Sequence, residues 1–207
     1  MNLIEINGEK SYFYYQENIL DKNELFILQK WLDEKQYKKG SLLNGREIFR
    51  EQLWFQDDQA YFCNTWKYKY DRWVSQEKDE VIQNMQKKIS ILTNEIFKKY
   101  NLDPINYNSC LINKYRDGND YIKPHSDSFD SFGMYPTIAG LSIGDTRVIN
   151  FKQKKKISKE NREFNFTLNN NSLFIMSGSS QKHFTHEIKK NDSNKTRYSL
   201  TFRKYIG

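Results

Sequence analysis

The chain holds three histidines, His125, His183 and His186, and all lie in its C-terminal half. His125 and Asp127 stand two residues apart. On extended backbone that spacing turns an imidazole and a carboxylate to one face, where both can hold one metal ion. A second imidazole from a distant strand completes a two-histidine, one-carboxylate facial set, which suits Fe(II) and leaves coordination positions open. His183 and His186 are three apart, so on one strand they face opposite ways and only one can reach the metal. A His-x-Asp pair alone recurs by chance in many sequences.

The second feature is the run Arg197-Tyr198-Ser199-Leu200-Thr201-Phe202-Arg203, which alternates strictly. Tyr198, Leu200 and Phe202 share the core face of a strand, and Arg197, Ser199, Thr201 and Arg203 share the other. Guanidinium groups on an inward polar face need anionic partners. The Cα atoms of Arg197 and Arg203 are roughly 20 Å apart on an extended strand. Side chains bending toward each other leave a gap suited to a small dicarboxylate held by charge-assisted bonds. On an edge strand the same arginines are simply solvated.

Short period-two segments after Pro104 must position these groups. They are Ser109–Tyr115, Thr137–Ile143, Arg147–Lys152, Glu163–Leu168, Ser172–Met176, Lys182–Ile188 and Arg197–Tyr205, separated by turn formers such as Asp117-Gly118-Asn119 and Asn169-Asn170-Asn171. Many short strands at regular spacing predict a sandwich or jelly roll. Lys152–Lys156 and Lys189–Lys195 fall in polar loops, which read as solvated tips. Before Pro104 two segments read as helix. One is capped by Asp21 or Asn23, with Leu25, Leu28 and Leu32 on one face and Trp31 beside them. The other places Val81, Met85, Ile89, Leu92 and Ile96 on a stripe. Between the helices, Phe49 to Trp73 is rich in aromatics, with short strand-like pieces and no clear period. The fold class is mainly β with flanking helices (α+β), and 1–207 reads as a single domain.

Composition narrows the function. Of 207 residues, 14 are Phe, 14 Tyr and 4 Trp, which argues against disorder. No apolar run approaches a membrane span, and Met1 to Lys10 carries no signal peptide. Cys63 and Cys110 make neither a disulfide framework nor a metal clip, so an intracellular, reducing compartment (cytoplasm or nucleus) is expected. The net charge of +7 is compatible with an anionic partner such as nucleic acid and equally with the codon bias of an AT-rich genome.

Asn113-Lys114-Tyr115-Arg116-Asp117-Gly118, His125-x-Asp127, His186 and Arg197-x-Ser199-x-Thr201-Phe202-Arg203 together resemble the AlkB family of Fe(II)/2-oxoglutarate dioxygenases, in order and in intervals. The resemblance is strong from Ser109 to Tyr205, and Phe49-Arg50-Glu51-Gln52 is similar to a family segment before the nucleotide-recognition region. It implies a double-stranded β-helix (jelly-roll) core over 105–207, braced by two N-terminal helices, with 1–104 as helical support and nucleotide-recognition lid. It implies His125, Asp127 and His186 as Fe(II) ligands, and Asn113, Tyr115, Arg197, Ser199 and Arg203 as contacts to 2-oxoglutarate. Arg50, Phe62, Phe129 and Asp130 are implied at the substrate, and no catalytic group beyond the metal centre. The implied activity is oxidative removal of N-methyl groups from DNA or RNA bases, a repair reaction that uses O2 and releases formaldehyde, by a monomer. The family spacing favours His186 over His183. Ser199 stands where the family commonly has Asn, and Phe129 where it often has an acidic residue. The alternative is the same iron chemistry on a protein side chain.

Overall fold

The computed structural model describes residues 1–41, 45–63, 74–155 and 161–207. Trp66, Tyr68, Tyr70 and Trp73 of the aromatic segment, and Lys156, lie outside the described residues. Among the described residues two antiparallel sheets face each other. The larger has seven strands in the order β1-β2-β9-β6-β11-β4-β3, and the smaller four in the order β5-β10-β7-β8. In chain order the large-sheet strands are β1 Asn2–Ile6, β2 Glu9–Glu17, β3 Glu51–Gln56, β4 Ser109–Tyr115, β6 Ile138–Gly144, β9 Ser172–Gly178 and β11 Arg197–Arg203. The small sheet holds β5 Ile122–His125, β7 Arg147–Gln153, β8 Glu163–Leu168 and β10 Phe184–Ile188. This is the jelly roll that the C-terminal pattern predicts.

Two long helices, α1 Lys22–Glu34 and α2 Glu80–Lys99, cover the outer face of the large sheet. Asp21 caps α1: its side chain accepts from the N–H groups of Asn23 and Glu24 at 2.8 and 2.9 Å, while Glu24 accepts from the Asp21 N–H at 2.9 Å. Such a box satisfies donors that a helix start leaves open. Asp79 caps α2 and also accepts from Trp31 Nε1 and Lys35 Nζ, both at 2.7 Å, so one carboxylate ties the helices together. Tyr198, Leu200 and Phe202 of β11 enter this helix-facing core, as their alternation requires. Met85, Ile89 and Ile96 bury as expected, but Ile82 and Phe97 are buried where Val81 and Leu92 are only half covered.

The β1–β2 hairpin departs from the sequence reading, which placed two helices and an aromatic segment with short strand-like pieces before Pro104; β3 falls within that segment. β1, β2 and β3 contribute three of the seven large-sheet strands, so 1–104 and 105–207 share one sheet. β1 and β2 form a hairpin around Asn7-Gly8, both with positive φ (53° and 78°), which is the turn chemistry that matches strand twist. β2 then pairs with β9 from Ser11↔Gly178 to Glu17↔Ser172. Phe13 on β2 is the hub of the inter-sheet core. Its ring meets Phe151, Phe164 and Phe184 edge-on at 5.0, 5.1 and 5.7 Å. Replacing Phe13 by Ala, at 1% exposure, is expected to cost about 3–5 kcal/mol of unfolding free energy. Urea denaturation monitored by tryptophan fluorescence checks this, and a loss below about 1 kcal/mol contradicts the hub role.

Lys182–Ile188, expected as one strand, divides into a helical turn, α4 Ser180–His183, and β10. Ser179 O accepts from the Lys182 and His183 N–H groups at 3.0 and 2.9 Å, which closes the turn. Cys63 and Cys110 are both buried, and burial pushes the Cys110 thiol up to about 12. Among the described residues no helix is long and apolar enough to cross a membrane.

Candidate metal centre and its pocket

Between the sheets lies a cavity of about 200 Å³ lined by His125, Asp127, His186 and by the polar face of β11, with Arg197, Ser199, Thr201 and Arg203. Asn113, Tyr115, Arg50 and Phe62 also line it. One cavity therefore gathers ten of the twelve site residues expected from sequence. The other two, Phe129 and Asp130, lie on the exposed first turn of a short helix, α3 Phe129–Phe132, outside the lining. The chain turns outward there: Ser128 caps α3 and is the last lining residue before it.

His125 and His186 are directly opposed across the β5–β10 ladder, with ring centroids 4.2 Å apart. Asp127 sits past the end of β5, and its Oδ1 is 3.8 Å from the Nε2 of each histidine. That is too far for hydrogen bonding, and the three groups converge on a common point, with ligand atoms all within 4.8 Å. His125 Nδ1 is 2.9 Å from the Lys123 carbonyl oxygen. The nitrogen facing a carbonyl carries the proton, so Nε2 keeps its lone pair for the metal.

Protonation suits the same role. Burial drives His186 down to about 3, with His125 adding to the shift, and burial lowers His125 as well. At Asp127 burial works upward, but Arg203 and the two imidazoles outweigh it and hold the carboxyl below its ordinary value. Two neutral imidazoles and a carboxylate form a ligand set that binds a divalent cation without first losing a proton.

His183 is at the end of α4 rather than on β10. Its Nε2 is 2.8 Å from Glu9 Oε2 and its Nδ1 is 3.4 Å from Ser11 Oγ, so it joins α4 to β2 and does not line the cavity. Only His186 reaches the site, but a helical turn, not opposite strand faces, separates the two.

The two arginines of β11 differ. Arg203 is engaged with the metal ligand: its Nε donates to Asp127 Oδ2 at 2.5 Å and its Nη1 to the Thr201 carbonyl at 3.1 Å. Arg197 is 2% exposed, its guanidinium lies over the Tyr115 ring at 5.2 Å, and its Nη2 donates to Ser142 Oγ at 2.9 Å, while Nε and Nη1 have no hydrogen-bond partner among the described residues. A buried guanidinium with open donors is costly unless an anion arrives to accept them. The residues thus fit an anionic cosubstrate at the Arg197 end of the cavity. Nearby, Asn113 Oδ1 accepts from Arg50 Nε and Gln52 Nε2, both at 2.8 Å, leaving its amide nitrogen as the remaining donor. Ser199 is flanked in register by Asn113 and Ser142. Phe62, 7% exposed, forms wall: it packs edge-on against Trp54 at 4.9 Å and Phe132 at 5.5 Å.

Sequence reasoning passed over Ser142, although Gly140, Ser142 and Gly144 alternate along β6 as small residues on one face. It also passed over Gln181, whose Oε1 accepts the Asp127 N–H at 2.9 Å and which no motif marks.

Comparison with known proteins agrees with this geometry. The family model described as the 2OG-Fe(II) oxygenase superfamily matches residues 13–203. The alpha-ketoglutarate-dependent dioxygenase alkB homolog 3 of Mus musculus is 38% identical over 104 residues, covering 47% of this chain and 36% of the mouse protein. The DNA oxidative demethylase ALKBH2 of Arabidopsis thaliana is 31% identical over 117 residues, covering 47% of this chain and 37% of that protein. The matched region thus spans about a third of the length of these curated relatives. Among solved structures, OsALKBH1 superposes with a TM-score of 0.60 at 13% identity, covering 98% of this chain and 100% of that one. A Pseudomonas putida prolyl-4-hydroxylase gives 0.57, also at 13% identity, covering 94% and 93%. At such identities these two show a shared fold. The chain belongs to the 2OG-Fe(II) oxygenase superfamily, and the curated proteins it resembles over part of their length are AlkB homologs.

Proposed function

We propose that this chain is an oxidative demethylase of N-methylated nucleic-acid bases, working as a single domain over 1–207. His125, Asp127 and His186 would hold Fe(II), which with O2 and 2-oxoglutarate would supply the oxidation of the methyl carbon, with succinate, CO2 and formaldehyde as products. The observation that carries the oxygenase part is the convergence of a neutral-imidazole and carboxylate triad with the unpaired donors of Arg197 in one cavity. Arg197 takes the distal carboxylate of 2-oxoglutarate, with Tyr115, Asn113 and Ser199 around it, and Arg203 keeps Asp127 anionic and oriented. Arg50 and Phe62 shape the wall against which the extruded base lies. A base must leave its stack to enter such a cavity, which favours single strands.

The relatives named DNA demethylases support the substrate class. So does Lys154, beside the metal end. Lys35, Lys78, Lys88, Lys114 and Lys182 are half-buried and pair with Asp79, Asp57, Glu24, Glu51 and Glu9. Lys154 is half-buried too, but among the described residues its hydrogen-bond partner is a carbonyl, that of Gln181 at 2.7 Å. Burial lowers its pKa, and its ammonium lies 5.9 Å from the exposed ring of Phe129. An ammonium over an aromatic at the rim fits a strand's phosphate and flanking base. Binding of a single-stranded oligonucleotide, followed by fluorescence anisotropy from 50 to 300 mM salt (roughly the range where counterion release is steep), is expected to weaken with salt. Lys154→Ala is expected to flatten the log–log slope by about 0.7, one phosphate contact. Salt-independent binding contradicts the nucleic-acid reading.

A further inference from the structure

Asp127 is the one member of the triad without a strand to hold it: β5 ends at His125, so the ladder stops two residues short. Its backbone N–H is accepted by the side chain of Gln181, at 2.9 Å. Gln181 is fully buried and is not part of the cavity lining. Its other amide end is committed as well, since Nε2 lies 3.1 Å from Met176 Sδ. A thioether can accept but not donate, so this contact fixes the amide with its oxygen toward Asp127. The Gln181 carbonyl is anchored by Lys154 Nζ at 2.7 Å. Ser126, on the other side of the same turn, donates to the Phe184 carbonyl at 2.9 Å.

The stretch from Gln181 to His186 therefore supplies one metal ligand directly and carries the group that holds the backbone of another. A buried amide costs desolvation energy that an apolar residue of the same length avoids. That cost is offset only if both ends of the amide are used, as they are here.

We propose that Gln181 is a positioning residue of the metal centre. By accepting the Asp127 N–H it keeps the carboxylate turned toward His125 and His186, so affinity for a divalent metal depends on it while the fold does not. This rests on the metal-centre reading above.

The test is calorimetric titration of Mn(II) into the metal-free protein, comparing wild type with Gln181→Met, Gln181→Glu and Ser180→Ala. Methionine keeps the length and bulk of glutamine but replaces the amide oxygen by a weak thioether acceptor. Glutamate keeps an acceptor oxygen in the same place. Ser180 is the buried neighbour on α4 whose hydroxyl has no hydrogen-bond partner among the described residues, so its loss reports on disturbance of the turn alone. Gln181→Met is expected to bind Mn(II) about 10- to 100-fold more weakly. Gln181→Glu should recover most of that, Ser180→Ala should match wild type, and the metal-free thermal midpoints should agree. Wild-type affinity in Gln181→Met overturns the proposal. So does a loss matched by Ser180→Ala, a Gln181→Glu no better than Gln181→Met, or a collapsed thermal midpoint. If wild type itself takes up no Mn(II), the metal centre fails first and the positioning role falls with it.

Discussion

His186→Ala is expected to abolish both Mn(II) uptake and Fe(II)-dependent succinate formation, whereas His183→Ala retains both and lowers the thermal midpoint instead. Among the described residues His186 supplies one of three converging ligand atoms, and its imidazole is buried and neutral. Loss of a group that merely hydrogen-bonds a ligand weakens metal binding roughly 10- to 100-fold, so loss of a ligand itself must exceed that. His183 touches Glu9 and Ser11 and nothing at the centre. Its removal loosens the contact between α4 and β2. Calorimetry with Mn(II) and a succinate assay on each variant distinguish the two residues. A dead His183→Ala with an active His186→Ala would reverse the ligand assignment.

Arg197 carries the second large effect, and its signature is opposite in stability and function. Arg197→Met is expected to eliminate 2-oxoglutarate binding, at a loss of about 2–5 kcal/mol for a buried charge partner, while the ligand-free protein becomes no less stable. The reason is the pair of unpartnered guanidinium nitrogens, Nε and Nη1, in a side chain 2% exposed. A methionine of similar length carries no such desolvation penalty. Saturating 2-oxoglutarate should raise the wild-type thermal midpoint by linkage and leave that of Arg197→Met unmoved. Arg197→Lys should recover little, because an ammonium lacks the planar fork. If Arg197→Met binds 2-oxoglutarate like wild type, the anion pocket is wrongly placed.

The polar face of β11 was legible because strand alternation converts sequence spacing directly into facing, whereas the candidate metal triad was legible through the family resemblance, since Asp127 lies past the end of β5 and a helical turn separates His183 from His186. Arg197, Ser199, Thr201 and Arg203 do share the cavity side while Tyr198, Leu200 and Phe202 face the helices. The division of labour between the arginines was not legible. It depends on Asp127 leaving the strand and swinging against Arg203, a loop excursion that no periodicity encodes. β2 was hidden for a related reason. Ser11-Tyr12-Phe13-Tyr14-Tyr15 puts aromatics on both faces, so the polar–apolar alternation of a half-buried strand is absent. The Asn7-Gly8 dipeptide before it was the available signal. The resemblance implied Phe129 and Asp130 at the substrate; α3 begins there and keeps both outside the cavity lining, with the exposed Phe129 ring beside the Lys154 ammonium.

Whether the oxidant is aimed at a nucleic-acid base is tested most directly by product stoichiometry. The purified protein is supplied with Fe(II), 2-oxoglutarate and O2. One reaction receives a single-stranded oligonucleotide bearing one N-methylated base, and the other a proline- and lysine-containing peptide. Mass spectrometry then follows the substrate alongside formaldehyde and succinate. The account predicts loss of one methyl group from the oligonucleotide, with formaldehyde and succinate formed in equal amounts and the peptide unchanged. An unaltered methylated base together with a hydroxylated peptide contradicts it.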